Sequence, residues 1–234
     1  MSETHKSIRF VDFDGHHMGL SNEEAMSRRL NNWKGWKCSA GRYNMHVSAD
    51  GNIFAATCKV GGMLGNVYDD RFKLSDRWTT CSKEWCMCGQ DMQLPKARKE
   101  SFLPYVLEDP PGKEVNHLSS VDWVAPYHME SFRQYPYFIT WDLGRRCNYA
   151  CDYCLPSLSN TYEAHKSWGS LKHAADNIIK NFSKGSPARW IFTGGEPTIN
   201  PSFMDLVKYL HEKGHNLHTQ TNGSRTAEYH AELI

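Results

Sequence analysis

The sequence predicts an α/β protein whose C-terminal part is a parallel sheet. A small, loop-rich, hairpin-containing metal-binding domain precedes it. Two observations carry this expectation. From Tyr137 onward three β-rich runs alternate with helical patterns, and that alternation requires parallel strands joined by right-handed crossovers. The eight cysteines also fall into two groups, Cys38, Cys58, Cys81, Cys86 and Cys88, then Cys147, Cys151 and Cys154. Two groups imply two sites and two domains. The expected division is a cysteine-rich domain over 1–90, a linker over 91–136 and the α/β part over 137–234.

The elements follow in order. Ile8 to Phe13 reads as a strand ended by Asp14-Gly15. Ser21 can cap a helix in which Glu24, three residues on, completes a capping box. Tyr43–Val47 and Asn52–Ala56 flank Asp50-Gly51 and read as a hairpin, with Tyr43, Met45 and Val47 on one buried face. Gly61-Gly62 and Gly65-Asn66 mark turns. The stretch from Gln90 to Tyr135 holds Pro95, Pro104, Pro110-Pro111 and Pro126. It reads as a linker wrapping one domain onto the next, with Trp123 and Phe132 pinned to a surface.

Tyr137–Leu143 is the first strand of the α/β part. Leu171, Ala174, Ala175, Ile178, Ile179 and Phe182 form one apolar helical stripe, stopped by Gly185. Arg189–Thr193 is the second strand, followed by Gly194-Gly195-Glu196-Pro197. Asn200-Pro201 gives an N-cap and first-turn proline for the next helix. Leu217–Thr221 is the third strand, closed by Asn222-Gly223-Ser224. A third helix has begun by Ala227 when the sequence stops at Ile234.

Bulk numbers exclude some classes. A hydrophobic fraction of 40% and a charged fraction of 23% are those of a soluble globular protein. Lys+Arg number 27 against Asp+Glu 26, without the basic excess that a nucleic-acid binder usually carries. No apolar run approaches the ~20 residues of a membrane span. The polar N-terminus does not resemble a signal peptide, which makes the cytoplasm the default compartment. Thiols stay reduced there, so the cysteines read as metal ligands rather than disulfides.

In a parallel sheet the ligand site lies at the carboxyl ends of the strands. Three motifs occur there: Cys147 to Cys154 after the first strand, Gly194 to Pro197 after the second, and Thr221 to Ser224 after the third. The spacing C-x-x-x-C-x-x-C supplies three thiolates and leaves a coordination position open. A zinc site borrowing a further ligand, such as His165, is the plainer alternative. Arg145-Arg146, just before Cys147, read as solvated charge or as partners of an anionic centre. His16-His17, His211, His215 and His218 lack ligand spacing and read as surface or packing residues.

Together, the C-x-x-x-C-x-x-C run with Tyr153 before its last cysteine, Gly194-Gly195-Glu196-Pro197 and Thr221-Asn222-Gly223 resemble the radical S-adenosylmethionine (radical SAM) enzymes. The resemblance covers about Tyr137 to Ile234. It implies that Cys147, Cys151 and Cys154 hold three irons of a [4Fe–4S] cluster. The fourth iron would take the amino and carboxylate groups of S-adenosylmethionine. Gly194 and Gly195 would let the backbone approach the methionyl part, with Glu196, before Pro197, accepting from its amino group. The Tyr153 backbone would meet the adenine, and Asn222 the ribose or carboxylate. One electron, delivered by a donor such as flavodoxin or ferredoxin, would cleave the sulfonium. The resulting 5′-deoxyadenosyl radical would take a hydrogen atom from a substrate, a peptide, protein or small molecule that the sequence does not identify. That family's core usually has six βα units, whereas about three are present here. The resemblance therefore implies a truncated, partial (β/α) barrel with an open sheet edge.

Cys38-Ser39-Ala40-Gly41, the Asp50-Gly51 hairpin, Cys58 and Gly65-Asn66 resemble the start of a SPASM or Twitch auxiliary-cluster domain. This implies a second iron–sulfur cluster held by four of Cys38, Cys58, Cys81, Cys86 and Cys88, with zinc as the alternative. That domain usually follows the radical domain, and here it precedes it. Its later cysteines are also usually spaced otherwise than C-x-x-x-x-C-x-C. The competing class is a non-catalytic iron–sulfur or zinc protein for electron transfer or interaction. Such a protein has no use for an open iron or for the Gly194–Glu196 turn.

Overall fold

The computed structural model describes residues 5–69, 72, 74, 77–154 and 157–233; Met1–Thr4 and Ile234 lie outside them. In chain order the strands are β1 (Ile8–Val11), β2 (His17–Leu20), β3 (Lys37–Cys38), β4 (Asn44–Val47), β5 (Asn52–Phe54), β6 (Met63–Asn66), β7 (Thr79–Thr80), β8 (Lys96–Ala97), β9 (Trp123–Pro126), β10 (Tyr137–Asp142), β11 (Ala188–Thr193) and β12 (Asn216–Thr219). The helices are α1 (Asn22–Ser27), α2 (Gly89–Gln93), α3 (Met129–Gln134), α4 (Trp168–Ile178), α5 (Phe203–Glu212) and α6 (Ala227–Glu232). The strands make two six-stranded sheets in a mixed α/β protein.

The chain divides into two compact units that do not follow the 1–90, 91–136 and 137–234 division. Unit 1 is Met1–Asn44, Ala55–Gly61 and Ser75–Gln134; unit 2 is Met45–Phe54, Gly62–Leu74 and Tyr135–Ile234.

Unit 1 holds a sheet of order β2-β1-β9-β8-β3-β7, antiparallel at each pairing. The stretch expected to be a linker supplies β8, β9 and α3. Its prolines sit where structure tolerates them, Pro126 at the end of β9 and Pro104 inside a 3₁₀ turn over Glu100–Tyr105. Trp123 and Phe132 are buried core residues, not surface pins. β1 ends at Val11, two residues early, because the Asp12 carboxylate accepts from the Asp14 and His16 amides and closes a turn. The capping box of α1 forms as expected: Ser21 Oγ accepts from Glu24 N at 3.1 Å, and Glu24 Oε2 from Ser21 N at 2.9 Å.

Unit 2 holds the sheet β12-β11-β10-β4-β5-β6. β10, β11 and β12 are parallel, with α4 and α5 as the two crossovers. The β4–β5 hairpin forms as expected, with Val47 opposite Ile53. Its β4 strand then lies beside β10. The β10 side is therefore covered, while β12, the last parallel strand, stands at an edge of the sheet. This also explains why β4 is buried at all four positions, His46 as well as Met45 and Val47, instead of on one face. Gly65-Asn66 lies within β6 rather than at a turn; Gly65, at φ 144°, lies opposite the register shift at Ile53/Phe54.

One core fills this unit. Leu171, Ala174, Ala175, Ile178 and Phe182 from the predicted stripe pack with Trp141, Trp190 and Phe192 of the sheet and with Phe203, Leu206 and Leu210 of α5. The N-cap of α5 is Ser202, not Asn200. Asn200 instead accepts from Ser202 N at 2.9 Å and forms the turn leading in.

His215 joins this core. It is 6% exposed, its Nδ1 accepts from Ala188 N at 3.1 Å, and its ring meets Trp190 edge-on. Burial, with Lys213 nearby, lowers its pKa from 6.5 to about 4. The unfolded chain therefore binds more protons between those values. Stability is full above pH 6.5 and falls as pH drops toward 4, by at most about 3 kcal/mol at 1.36 kcal/mol per unit. Urea unfolding at pH 7 and pH 5 should show this loss, and His215→Asn should shrink it.

Candidate active site

The carboxyl ends of β10, β11 and β12 lead into the three segments singled out above, and hydrogen bonds tie these together. After β10 the chain runs through Leu143–Arg146 to Cys147. After β11 it enters Gly194–Pro197, and Gly195 N and Glu196 N donate to Gly144 O and Arg146 O, both at 2.9 Å. A Cβ on Gly195 would lie 2.2 Å from Arg146 O and 2.4 Å from Arg145 O. One on Gly194, whose φ is 116°, would lie 2.4 Å from Gly144 O. The glycine pair thus lets one backbone press directly on another, setting the base of the cysteine loop.

Glu196 is 3% exposed. Its Oε1 accepts from Thr198 N (3.0 Å), Thr198 Oγ1 (2.6 Å) and Thr221 Oγ1 (2.9 Å), and its Oε2 from Asn222 N (2.6 Å). The carboxylate therefore joins the segment after β11 to that after β12. Asn222 then reaches the segment after β10, its Nδ2 donating to Asn148 Oδ1 at 3.0 Å and to Cys147 Sγ at 3.7 Å. Tyr149 N also donates to Cys147 Sγ, at 3.4 Å.

Cys147 and Cys151 are half-buried and Cys154 is exposed. Tyr153 is 86% exposed; its hydrogen bond with the Cys151 side chain raises the phenol above its ordinary value. Arg146 is exposed, as expected of solvated charge, whereas Arg145 is half-buried in ion pairs. Arg145 pairs with Asp50 and with Glu163 at 3.2 Å, and Arg146 Nη1 donates to Glu163 O at 3.3 Å. They brace the loop from outside, and Cys147 N donates to Asn160 O at 2.7 Å in the same brace. Pro197 is buried at the start of a short 3₁₀ turn.

Sequence reasoning missed one pair at this end of β10. His46 Nε2 lies 3.0 Å from Asp142 Oδ2, both side chains largely buried. No local motif marks it, because β4 and β10 are far apart in the chain.

The other cysteines lie in unit 1. Cys81 N donates to Trp36 O at 2.8 Å, and Lys96 lies opposite Cys38 on β8. Cys58 N donates to Asp91 Oδ2 at 2.9 Å, while Lys96 Nζ donates to Asp91 O, Met92 O and Leu94 O. Burial raises the Cys38 thiol and pushes Cys58 and Cys86 up to about 12; Lys96 opposes this at Cys38 and Cys86, and Asp91 adds to it at all three. Cys38, Cys58 and Cys86 are thus each close enough to Asp91 to feel its charge, while the Cys81 thiol donates to Lys83 O at 3.8 Å. Cys88 sits instead at the N-cap of α2. Among the described residues no three of these sulfurs lie within 4.8 Å of one another.

A family model described as the Radical SAM superfamily matches residues 141–234. These residues, two fifths of the chain, are similar to a radical SAM domain. They contain the three cysteines, the Gly194–Pro197 turn and Asn222. Three curated relatives share this radical SAM segment. An S-adenosylmethionine-dependent nucleotide dehydratase from Selenomonas ruminantium is 32% identical over 38% of this chain and 30% of its own length. An Fe-coproporphyrin III synthase from Methanosarcina barkeri is 33% identical over 37% of this chain and 21% of its own. Mycofactocin maturase MftC from Mycobacterium tuberculosis is 32% identical over 38% of this chain and 22% of its own. The match thus spans under a third of each relative. The radical SAM domain is an enzyme domain, and each relative is named as an enzyme. No solved structure gives a significant match. Among the described residues no helix is long and apolar enough to cross a membrane.

Proposed function

We propose that this protein is a radical SAM enzyme with its reaction centre at the carboxyl ends of β10, β11 and β12, the first part of a partial (β/α) barrel. The observation that carries the reading is the Cys147–Asn222–Glu196 chain of hydrogen bonds. It holds a three-thiolate loop against the two other strand ends. That donor set fits a [4Fe–4S] cluster bound through Cys147, Cys151 and Cys154. When bound, such a cluster supplies one electron to S-adenosylmethionine and so begins hydrogen-atom abstraction from a substrate. The chain's own residues position and shield. Gly194 and Gly195 set the height of the loop, and Glu196, through Asn222, orients the Cys147 sulfur. The names of the relatives span nucleotide, porphyrin and maturase chemistry, so they support the superfamily and not one substrate. An electron donor such as flavodoxin or ferredoxin is required, and eight free thiols suit the cytoplasm.

Cys38, Cys58, Cys81 and Cys86 would hold a second centre. That centre would be a second iron–sulfur cluster, with a single zinc as the alternative. Anaerobic reconstitution followed by metal counting tests both centres. Changing Cys147, Cys151 and Cys154 to alanine should remove about four irons per chain and leave the rest. Changing Cys58 and Cys86 should remove the remainder, whereas Cys88→Ala should not. Iron unchanged in the triple variant would end the first assignment, and zinc in place of the remaining iron the second.

A further inference from the structure

Unit 1 carries a cavity that none of this chemistry uses. It encloses about 250 Å³ beside the β1–β2 turn and is lined by Phe13, Phe102, Tyr105, Trp123, Asp14 and Glu108, among others. That is just below the ~300–1,000 Å³ of a small-molecule pocket and suits a single side chain.

Its walls are aromatic. Phe102 and Trp123 are buried with ring centroids 5.6 Å apart, and Phe13 stands edge-on to Phe102 at 6.2 Å. Phe13 and Tyr105 are 75% and 53% exposed; two large apolar rings turned to water at one cavity mouth mark an interaction site. The cavity is also pre-formed. A Cβ on Gly112 would lie 2.5 Å from Gly15 C and His16 N, so the two loops that frame the mouth touch backbone to backbone.

Charge selects the occupant. Asp109, also at the cavity, is neutralised by Arg9 at 3.4 Å and Arg133 at 3.1 Å. Among the described residues neither the Asp14 nor the Glu108 carboxylate forms an ion pair with a lysine or arginine. Aromatic faces with uncompensated carboxylates attract an organic cation through the ring quadrupoles and the charges together.

We propose that this cavity binds the basic side chain of a peptide, arginine ahead of lysine because a flat guanidinium stacks on rings. The guanidinium stacks on the rings, and its N–H edge meets the Asp14 and Glu108 carboxylates. The site needs no bound cluster, so it stands or falls apart from the radical SAM reading.

The test is fluorescence anisotropy with the full chain and a labelled Gly-Gly-Arg-Gly-Gly peptide, in the presence of a chelator. The expected result is saturable binding that weakens tenfold or more when citrulline replaces arginine. Asp14→Asn combined with Glu108→Gln should cause a similar loss, as should Phe13→Ala. Circular dichroism would show that these exposed substitutions leave the fold intact. Equal binding of the citrulline peptide, unchanged binding by the double variant, or no saturable binding would overturn the proposal. A signal seen only without chelator would move the event to a divalent ion at Asp12, Asp14 and His16, whose ligand atoms lie within 4.8 Å of one another, and would overturn it too. Equal affinity for acetylarginine amide would assign the site to small free cations and overturn the peptide claim.

Discussion

Glu196→Ala should lower the unfolding free energy by several kcal/mol, at about 1–3 kcal/mol for each buried donor it leaves unpaired, and should abolish stable cluster incorporation. Glu196 is the acceptor for four donors on two segments. Its removal leaves Thr198 N and Asn222 N without partners, and a buried unpaired donor costs about 1–3 kcal/mol. The segment after β12 then loses its tie to the segment after β11, and Asn222 loses its hold near Cys147. Glu196→Gln should cost less, because one oxygen still serves Thr198 and Thr221. Its amide nitrogen would face Asn222 N, donor against donor. Urea unfolding followed by circular dichroism reads the stability, and iron content after reconstitution reads the loop. Equal stability of Glu196→Ala and the unaltered protein would show that the network is ornamental.

Gly195→Ala should be nearly as damaging for a different reason. The added methyl would meet Arg146 O at 2.2 Å and Arg145 O at 2.4 Å. Both are backbone atoms and cannot rotate away. Either the Gly194–Pro197 turn or the base of the cysteine loop must shift, breaking the bonds from Gly195 N and Glu196 N. Overpacking of this kind costs about 1–3 kcal/mol, and displacement of Cys147 should reduce iron binding further. Gly169→Ala is the control. Gly169 lies in α4 with open space around it, and alanine there should be neutral or stabilising by about 0.5–1 kcal/mol. If the two variants behave alike, the close approach at Gly195 does not set the loop.

Much of this arrangement was legible in the sequence because it is local. The capping box at Ser21 and Glu24, the Leu171–Phe182 stripe and the three motifs after β10, β11 and β12 each depend on residues a few positions apart. What was not legible depends on distant pairing. β4 joins β10 across some ninety residues, which covers a sheet edge and buries His46 against Asp142. Prolines made 91–136 look like a linker, yet β8 and β9 pair with strands nearer the N-terminus, where Pro126 closes a strand without spoiling it. The contacts of Glu196 were hidden for a related reason. Read alone, a carboxylate after a glycine pair looks available to a ligand; only the Thr198, Thr221 and Asn222 contacts show how fully it is engaged by the protein itself. Arg145 likewise looked free until Asp50 and Glu163 came beside it.

The central claim is that Cys147, Cys151 and Cys154 hold a cluster with one iron open to S-adenosylmethionine. Electron paramagnetic resonance of the anaerobically reconstituted, reduced chain tests it most directly. The spectrum should change when S-adenosylmethionine is added, and that change should vanish when the three cysteines are replaced by alanine. A reduced-cluster spectrum that S-adenosylmethionine leaves unaltered in the unmodified chain would contradict it.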